Sequence, residues 1–319
     1  MLRRLLLVAV LLALFAVPAQ AHGADVRFLT AFVVPKGLVV GGTTVGGISG
    51  LDYDRRTKKW ILISDDRVAP RFFEGRLDRE GVEFTAVRPL LGPGGPYAPG
   101  TVDPEDVRVD KWTGDLLWSQ EGDRTPTTLI DPSVQFSRKD GSFKQALPTP
   151  EALRMKSESG PRQNQAFEGL TFALNGTLVV TALEGPLLQD GPPATEAKGA
   201  TSRVVVQTRT GVPVAQYRYQ QEPLFAPDAS TGVTAILEKS PGVYLTLERS
   251  YSPTLGNKVR LFEYRPLQNR KRLLADIGKF TKPDNLEGMA WGPDGTLWLV
   301  SDDNFSPAQV TQFIALALR

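Results

Sequence analysis

One short pattern is written five times along this chain, and it limits the folds available. It runs as a strand, a tight turn, a second strand and then an acid. The clearest copy spans residues 285–303, from Asn285-Leu286-Glu287-Gly288-Met289 through the Pro293-Asp294-Gly295 turn to Ser301-Asp302-Asp303. Others begin at Gly47-Ile48-Ser49-Gly50, Pro104-Glu105-Asp106-Val107, Phe167-Glu168-Gly169-Leu170 and, more weakly, Ser230-Thr231-Gly232-Val233-Thr234. With Gly50, Asp106, Gly169, Gly232 and Gly288 as marks, the spacings are 56, 63, 63 and 56 residues. Paired strands repeating at this period predict blades stacked around an axis, an all-β propeller. The distance from mark to acid is also steady. It is 15 residues to Asp65, Glu121, Glu184 and Asp303, and 16 to Glu248. In an antiparallel hairpin the start of the first strand lies beside the end of the second. Each blade is therefore expected to deliver its acids to the same mouth of a central channel.

Strand patterns account for four blades of four strands and a fifth that lacks one. Residues 26–34 form a strand with no blade of its own, and they are expected to complete the last blade and close the ring without an open edge. Five marks use up the chain, so five blades are expected, with a degenerate sixth as the alternative. The stretches 92–104 and 185–202 read as loops, the second leaving the acidic mouth directly after Glu184. Loops on one face of a rigid scaffold are where function concentrates.

Residues 1–21 read as a secretory leader: Arg3 and Arg4, an apolar run over 5–17, and the small-residue site Ala19-Gln20-Ala21. The run is too short for a stable membrane span, so a periplasmic or secreted protein is expected, as a single propeller over 22–319. The whole chain carries 37 basic and 35 acidic residues. Without Arg3 and Arg4 the two balance, which argues against a nucleic-acid partner. There is no cysteine, hence no disulfide, and the single histidine, His22, lies at the leader junction. Serine or cysteine triads and histidine-based metal sites are thereby disfavoured.

What remains is carboxylate chemistry. Glu105, Glu121, Glu168, Glu184, Glu248, Glu287, Asp302 and Asp303, together with Asp65 and Asp66, are expected to converge. So many like charges in a partly dry site need protons or cations. Calcium, which prefers oxygen ligands, is the expected ion. Arg67, Arg108, Arg162 and Arg249 lie next to the motifs, and Arg67, Arg162 and Arg249 are candidates for holding an anionic group of a small substrate. Glu168 and Glu287 are candidate general bases. Each acid could instead cap a turn or pair with a neighbouring arginine. Trp60, Trp118, Phe172, Trp291 and Trp298 are expected to pack between blades, and Asn175 and Asp294 to sit in turns on the opposite face.

The motifs Glu168-Gly169-Leu170, Glu287-Gly288-Met289 and Ser301-Asp302-Asp303-Asn304-Phe305 resemble the phytase-like family, the esterase-like activity of phytase. The resemblance covers nearly all of the mature chain and departs at Ser49 and Thr231, where blades one and four lack the first glutamate. It implies an exported phosphoesterase or phosphodiesterase that uses the repeated acids, with calcium by analogy to propeller phytases. Two other readings fit the same residues: a non-catalytic periplasmic binding or scaffolding propeller, and a calcium-dependent lactonase-type hydrolase.

Overall fold

The computed structural model describes residues 25–319; the leader and His22 lie outside them. Among the described residues five four-stranded antiparallel sheets stand around an axis, with no degenerate sixth blade. Blade one is Ile48–Asp54, Lys59–Ser64, Arg71–Leu77 and Val82–Pro89. Blade two is Pro104–Val109, Leu116–Gln120, Ser133–Ser137 and Phe143–Ala146. Blade three is Phe167–Ala173, Leu178–Leu183, Thr201–Thr208 and Pro213–Gln220. Blade four is Ser230–Ser240, Val243–Ser252, Gly256–Arg265 and Arg270–Asp276. Blade five is Leu286–Trp291, Leu297–Ser301 and Gln312–Leu318, and its fourth strand is the N-terminal Val26–Val33, paired antiparallel with Gln312–Leu318. The first strand of the described chain thus closes the ring against the last. Among the described residues no helix is long and apolar enough to cross a membrane.

The hydrophobic core is divided into five clusters, one at each blade-to-blade seam. This follows from strand alternation: a blade buried on both faces needs apolar residues on both, and each face meets the next blade. Trp60 and Trp298 meet edge-on across the seam between blades one and five, at 6.2 Å. Phe136 and Phe172 join blades two and three.

The inner strands sit close enough to demand glycine. A Cβ on Gly50 would lie 2.7 Å from the Asp106 Cα in blade two, and one on Gly169 would lie 2.5 Å from the Ile236 nitrogen in blade four. The glycine marks are therefore places where neighbouring backbones nearly touch.

In every blade the first hairpin carries a register shift at the same height. It falls between Ile48 and Gly50, Pro104 and Val107, Phe167 and Leu170, Val233 and Ala235, and Leu286 and Gly288. A β-bulge re-aims the side chain it carries. The bulge residues are Ser49, Glu105, Glu168, Thr234 and Glu287. This corrects the alignment of blade four. The residue matching Gly50, Gly169 and Gly288 is Ala235, not Gly232, and the position lacking a glutamate is Thr234, not Thr231. Gly232 is small for another reason: the Glu184 side chain from blade three lies where a Cβ would go.

Candidate functional site

Two tiers of side chains converge at one mouth of the ring. The bulges supply Ser49, Glu105, Glu168, Thr234 and Glu287. The residues just past the second strands supply Asp65, Glu121, Glu184, Arg249 and Asp302. Four of these are fixed by the same backbone bond to the start of their own blade: Asp65 N to Gly47 O, Glu121 N to Asp103 O, Glu184 N to Ala166 O and Asp302 N to Asn285 O. Arg249 takes the equivalent place opposite Gly232. Of ten positions, seven are carboxylates and one is an arginine. The two hydroxyls are already used, each donating to a carbonyl of the next blade: Ser49 Oγ to Pro104 O and Thr234 Oγ1 to Leu286 O.

Seven of the expected acids therefore meet here: Asp65, Glu105, Glu121, Glu168, Glu184, Glu287 and Asp302. Three do not join in the same way. Asp303 stands at the edge, where its Oδ1 accepts from the Gly47 and Phe305 amides. Glu248 points the other way. It is 1 % exposed and accepts from the Tyr219 hydroxyl at 2.9 Å, the Glu222 amide at 3.0 Å and Lys271 Nζ at 2.6 Å. It pairs with Val233 as Ser64 pairs with Ile48 in blade one, so it lies on the opposite face of the strand, and Arg249 faces the acids instead. Asp66 turns outward to Arg71 and to the amides of its own turn.

Among the arginines, Arg249 reaches Glu184 Oε1 at 3.2 Å and Glu287 Oε1 at 3.4 Å. Arg67 is half-buried beside the site, 3.3 Å from Asp103 and 3.5 Å from Asp123. Arg162 donates to Gly191 O and ties down the 185–202 loop rather than an acid of the ring. Arg108 lies deeper. It binds both oxygens of Asp106 and donates to the carbonyls of Leu51, Ile236 and Met289, in blades one, four and five. Asp106 in turn accepts from the Leu170 amide of blade three. This pair closes the axis behind the acids.

The electrostatics follow from burial. Desolvation pushes Glu105, Glu121 and Glu168 well above the usual carboxylate range, and their carboxylate neighbours add to the effect. Burial, with Glu287 beside it, does the same to Asp302. Asp65 is pushed up to about 9 by burial and by Asp302 and Asp103. Burial raises Glu287 to about 8 against the opposing Arg249, and Asp103 to about 6 against Arg67. Glu184 is raised by burial, again opposed by Arg249.

Two triads have carboxylate oxygens all within 4.8 Å of one another: Asp103, Glu105 and Glu121, and then Glu121, Glu168 and Glu184. Asp103 is a site residue that the repeat pattern did not single out. Its signal was the Asp103-Pro104-Glu105 run, which carries a second acid two residues before the bulge. The donor set fits a hard divalent cation: it is oxygen throughout, shared through Glu121, and without histidine or thiolate. Nearby, Gln165 Oε1 and Gln221 Oε1 are buried acceptors without a donor, and Gln221 also holds the Glu184 carbonyl. A surplus of acceptors is what a cation site presents.

Toward blades four and five the mouth opens into a cleft of about 850 Å³, lined in part by Arg249, Glu287, Asn285, Asn257, Tyr251 and Lys282.

Comparison with known proteins agrees with this architecture. The family model described as phytase-like, esterase-like activity of phytase, matches residues 43–305. No curated protein sequence matches the chain. Among solved structures, a thermostable family-43 glycoside hydrolase is similar with a TM-score of 0.54 at 11% identity, covering 90% of this chain and 96% of its own. A putative exo-β-1,3-galactanase from Bifidobacterium bifidum s17 gives 0.51 at 11% identity, covering 92% and 96%. The endo-arabinase from Bacteroides thetaiotaomicron VPI-5482 gives 0.51 at 11% identity, covering 86% and 94%. At these identities the likeness is one of fold.

Proposed function

The chain belongs to the phytase-like family, and from that premise we propose that it is an exported, divalent-cation-dependent hydrolase of a phosphate ester or another ester. The observation that carries this reading is the charge imbalance of the mouth, where seven carboxylates, six of them buried, face one arginine. Asp103, Glu105, Glu121, Glu168 and Glu184 would hold the cation, with calcium as the ion of choice for all-oxygen ligands. When bound, such an ion supplies Lewis-acid polarisation and a more acidic water.

The remaining roles belong to the chain itself. Glu287 faces the cleft and is raised to about 8, which suits a group that takes up a proton near neutral pH. Glu168 is the second candidate base, at the centre of the ring. Arg249 presents its guanidinium to the cleft and is the residue placed to receive an anionic group. Arg67, beside the first triad, orients charge from the opposite side. The packed Asp106–Arg108 pair keeps bulk water from reaching the acids through the axis. Export rests on the leader read in residues 1–21.

The test combines binding and turnover. Calcium should raise the melting temperature and a chelator should reverse the rise. Hydrolysis of model phosphomonoester, phosphodiester and carboxyl-ester substrates should fall steeply in Glu168→Gln and Glu287→Gln. A calcium-dependent melting shift with no turnover of any of the three would assign a binding protein instead. Equal rates in wild type and both variants would remove those residues from catalysis.

A further inference from the structure

Glu184 has two competing uses. Its carboxylate lies within the Glu121–Glu168–Glu184 triad, and its Oε1 stands 3.2 Å from Arg249. Arg249 is otherwise thinly held. Its second ion pair, to Glu287, is 3.4 Å long, and its buried Nε has no partner. The guanidinium borders the cleft together with Lys282 and Asn257, whose buried Oδ1 is also unpartnered. The backbone supports the same junction, since the Val233 amide of blade four donates to the Glu184 carbonyl of blade three at 3.0 Å. Both ends of the contact are thus anchored, and the side chains are what can rearrange.

We propose that the Glu184–Arg249 contact couples the two halves of the mouth: Glu184, once committed with Glu121 and Glu168 to a divalent cation, gives up Arg249, which then binds an anionic ligand in the cleft. The inference rests on the cation site proposed above. A carboxylate shared between a guanidinium and a divalent ion gives each less than it gives either alone, because the ion draws its electron density and fixes its rotamer. Without the ion, Arg249 is neutralised in place and the cleft shows little attraction for an anion. By linkage the effect is reciprocal, so anion in the cleft tightens the cation by the same factor.

Inorganic phosphate and calcium, kept below the solubility limit of calcium phosphate, are sufficient probes for titration calorimetry on the whole mature chain. Wild-type protein should bind phosphate about tenfold more tightly with calcium than with chelator, in the usual range of such couplings. Glu184→Gln removes the competitor for Arg249. It should bind phosphate in chelator at least about fivefold more tightly than wild type does, with the calcium dependence largely gone. Arg249→Gln should bind phosphate weakly in both conditions. If Glu184→Gln does not fold, Glu184→Asp, which draws the carboxylate back by one methylene, should move in the same direction.

Phosphate affinity in chelator no better for Glu184→Gln than for wild type would overturn the coupling. So would an intact calcium dependence in Arg249→Gln, which would mean the ion itself bridges the phosphate. Either result with normal calcium binding leaves the cation site standing. Absence of calcium binding in wild type would instead remove the cation site and the coupling together.

Discussion

The guanidinium of Arg108 grips both oxygens of Asp106, NH1 to Oδ1 at 2.9 Å and NH2 to Oδ2 at 2.8 Å, at the point where all five inner strands meet. Both side chains are almost fully buried. Through them blade two is bonded to the other four. Arg108→Met should therefore destabilise the protein by about 3–5 kcal/mol, because it strands a buried carboxylate. Adding Asp106→Asn should recover part of the loss. Denaturant unfolding followed by tryptophan fluorescence measures both, and a single variant within 1 kcal/mol of wild type, about the cost of an ordinary substitution, would show that the pair is not a keystone.

The ring acids predict an unusual dependence on pH. Glu287 and Asp65 are raised to about 8 and about 9, and Glu105, Glu121, Glu168 and Asp302 are raised as well. A raised carboxylate binds its proton more tightly in the folded state, so the stability it lends is complete below its unfolded value and is lost as pH rises. The carboxylates that are lowered, such as Asp66 and Glu74, act in the acid range and leave this window alone. In chelator the melting temperature should fall steadily between about pH 5 and 9, and calcium should flatten the fall. A melting temperature that climbs over this range in chelator would contradict the buried cluster.

Neutralising one member should relieve the others. Glu168→Gln is expected to raise stability in chelator at pH 8 by about 1 kcal/mol, roughly the worth of one pKa unit, while weakening calcium binding tenfold or so. Thermal scans with and without calcium report both effects, and a variant less stable than wild type in chelator would argue against mutual repulsion.

Glu248 should behave in the opposite way. It is locked to Lys271, Tyr219 and the Glu222 amide outside the ring. Glu248→Gln should cost about 1–3 kcal/mol, because it removes a buried charge-assisted bond while Lys271 keeps Glu222 at 2.8 Å and the Gln220 carbonyl. Calcium affinity should stay within about twofold, since no triad oxygen is touched. A large loss of calcium binding in a folded variant would return Glu248 to the site.

These contrasts show what the sequence could and could not disclose. The blade count, the closure by the N-terminal strand and seven of the ten expected acids were legible, because the repeated hairpin fixes them. Blade four was misaligned because Gly232 looks like the other glycine marks while serving to make room for Glu184. The error mattered because strand side chains alternate: moving the mark exchanges Glu248, which faces away, for Arg249, which faces the acids. Asp103 and the Asp106–Arg108 pair were hidden for a different reason. Asp103 stands outside the repeated offset although it shares blade two with Glu105 and Glu121, and the carbonyls and amide that hold Asp106 and Arg108 come from other blades, brought together by ring closure and not by any local spacing.

That closure also sets a timetable. Among the described strands, the one that seals the ring comes first along the chain and must wait for Gln312–Leu318, the last of them. Blade two alone can bring Asp103, Glu105 and Glu121 together, but the whole mouth draws on every blade and needs the ring closed. The acids of different blades all meet only when that closure is made, and most of their mutual repulsion is postponed until the rest of the molecule is ready to contain it.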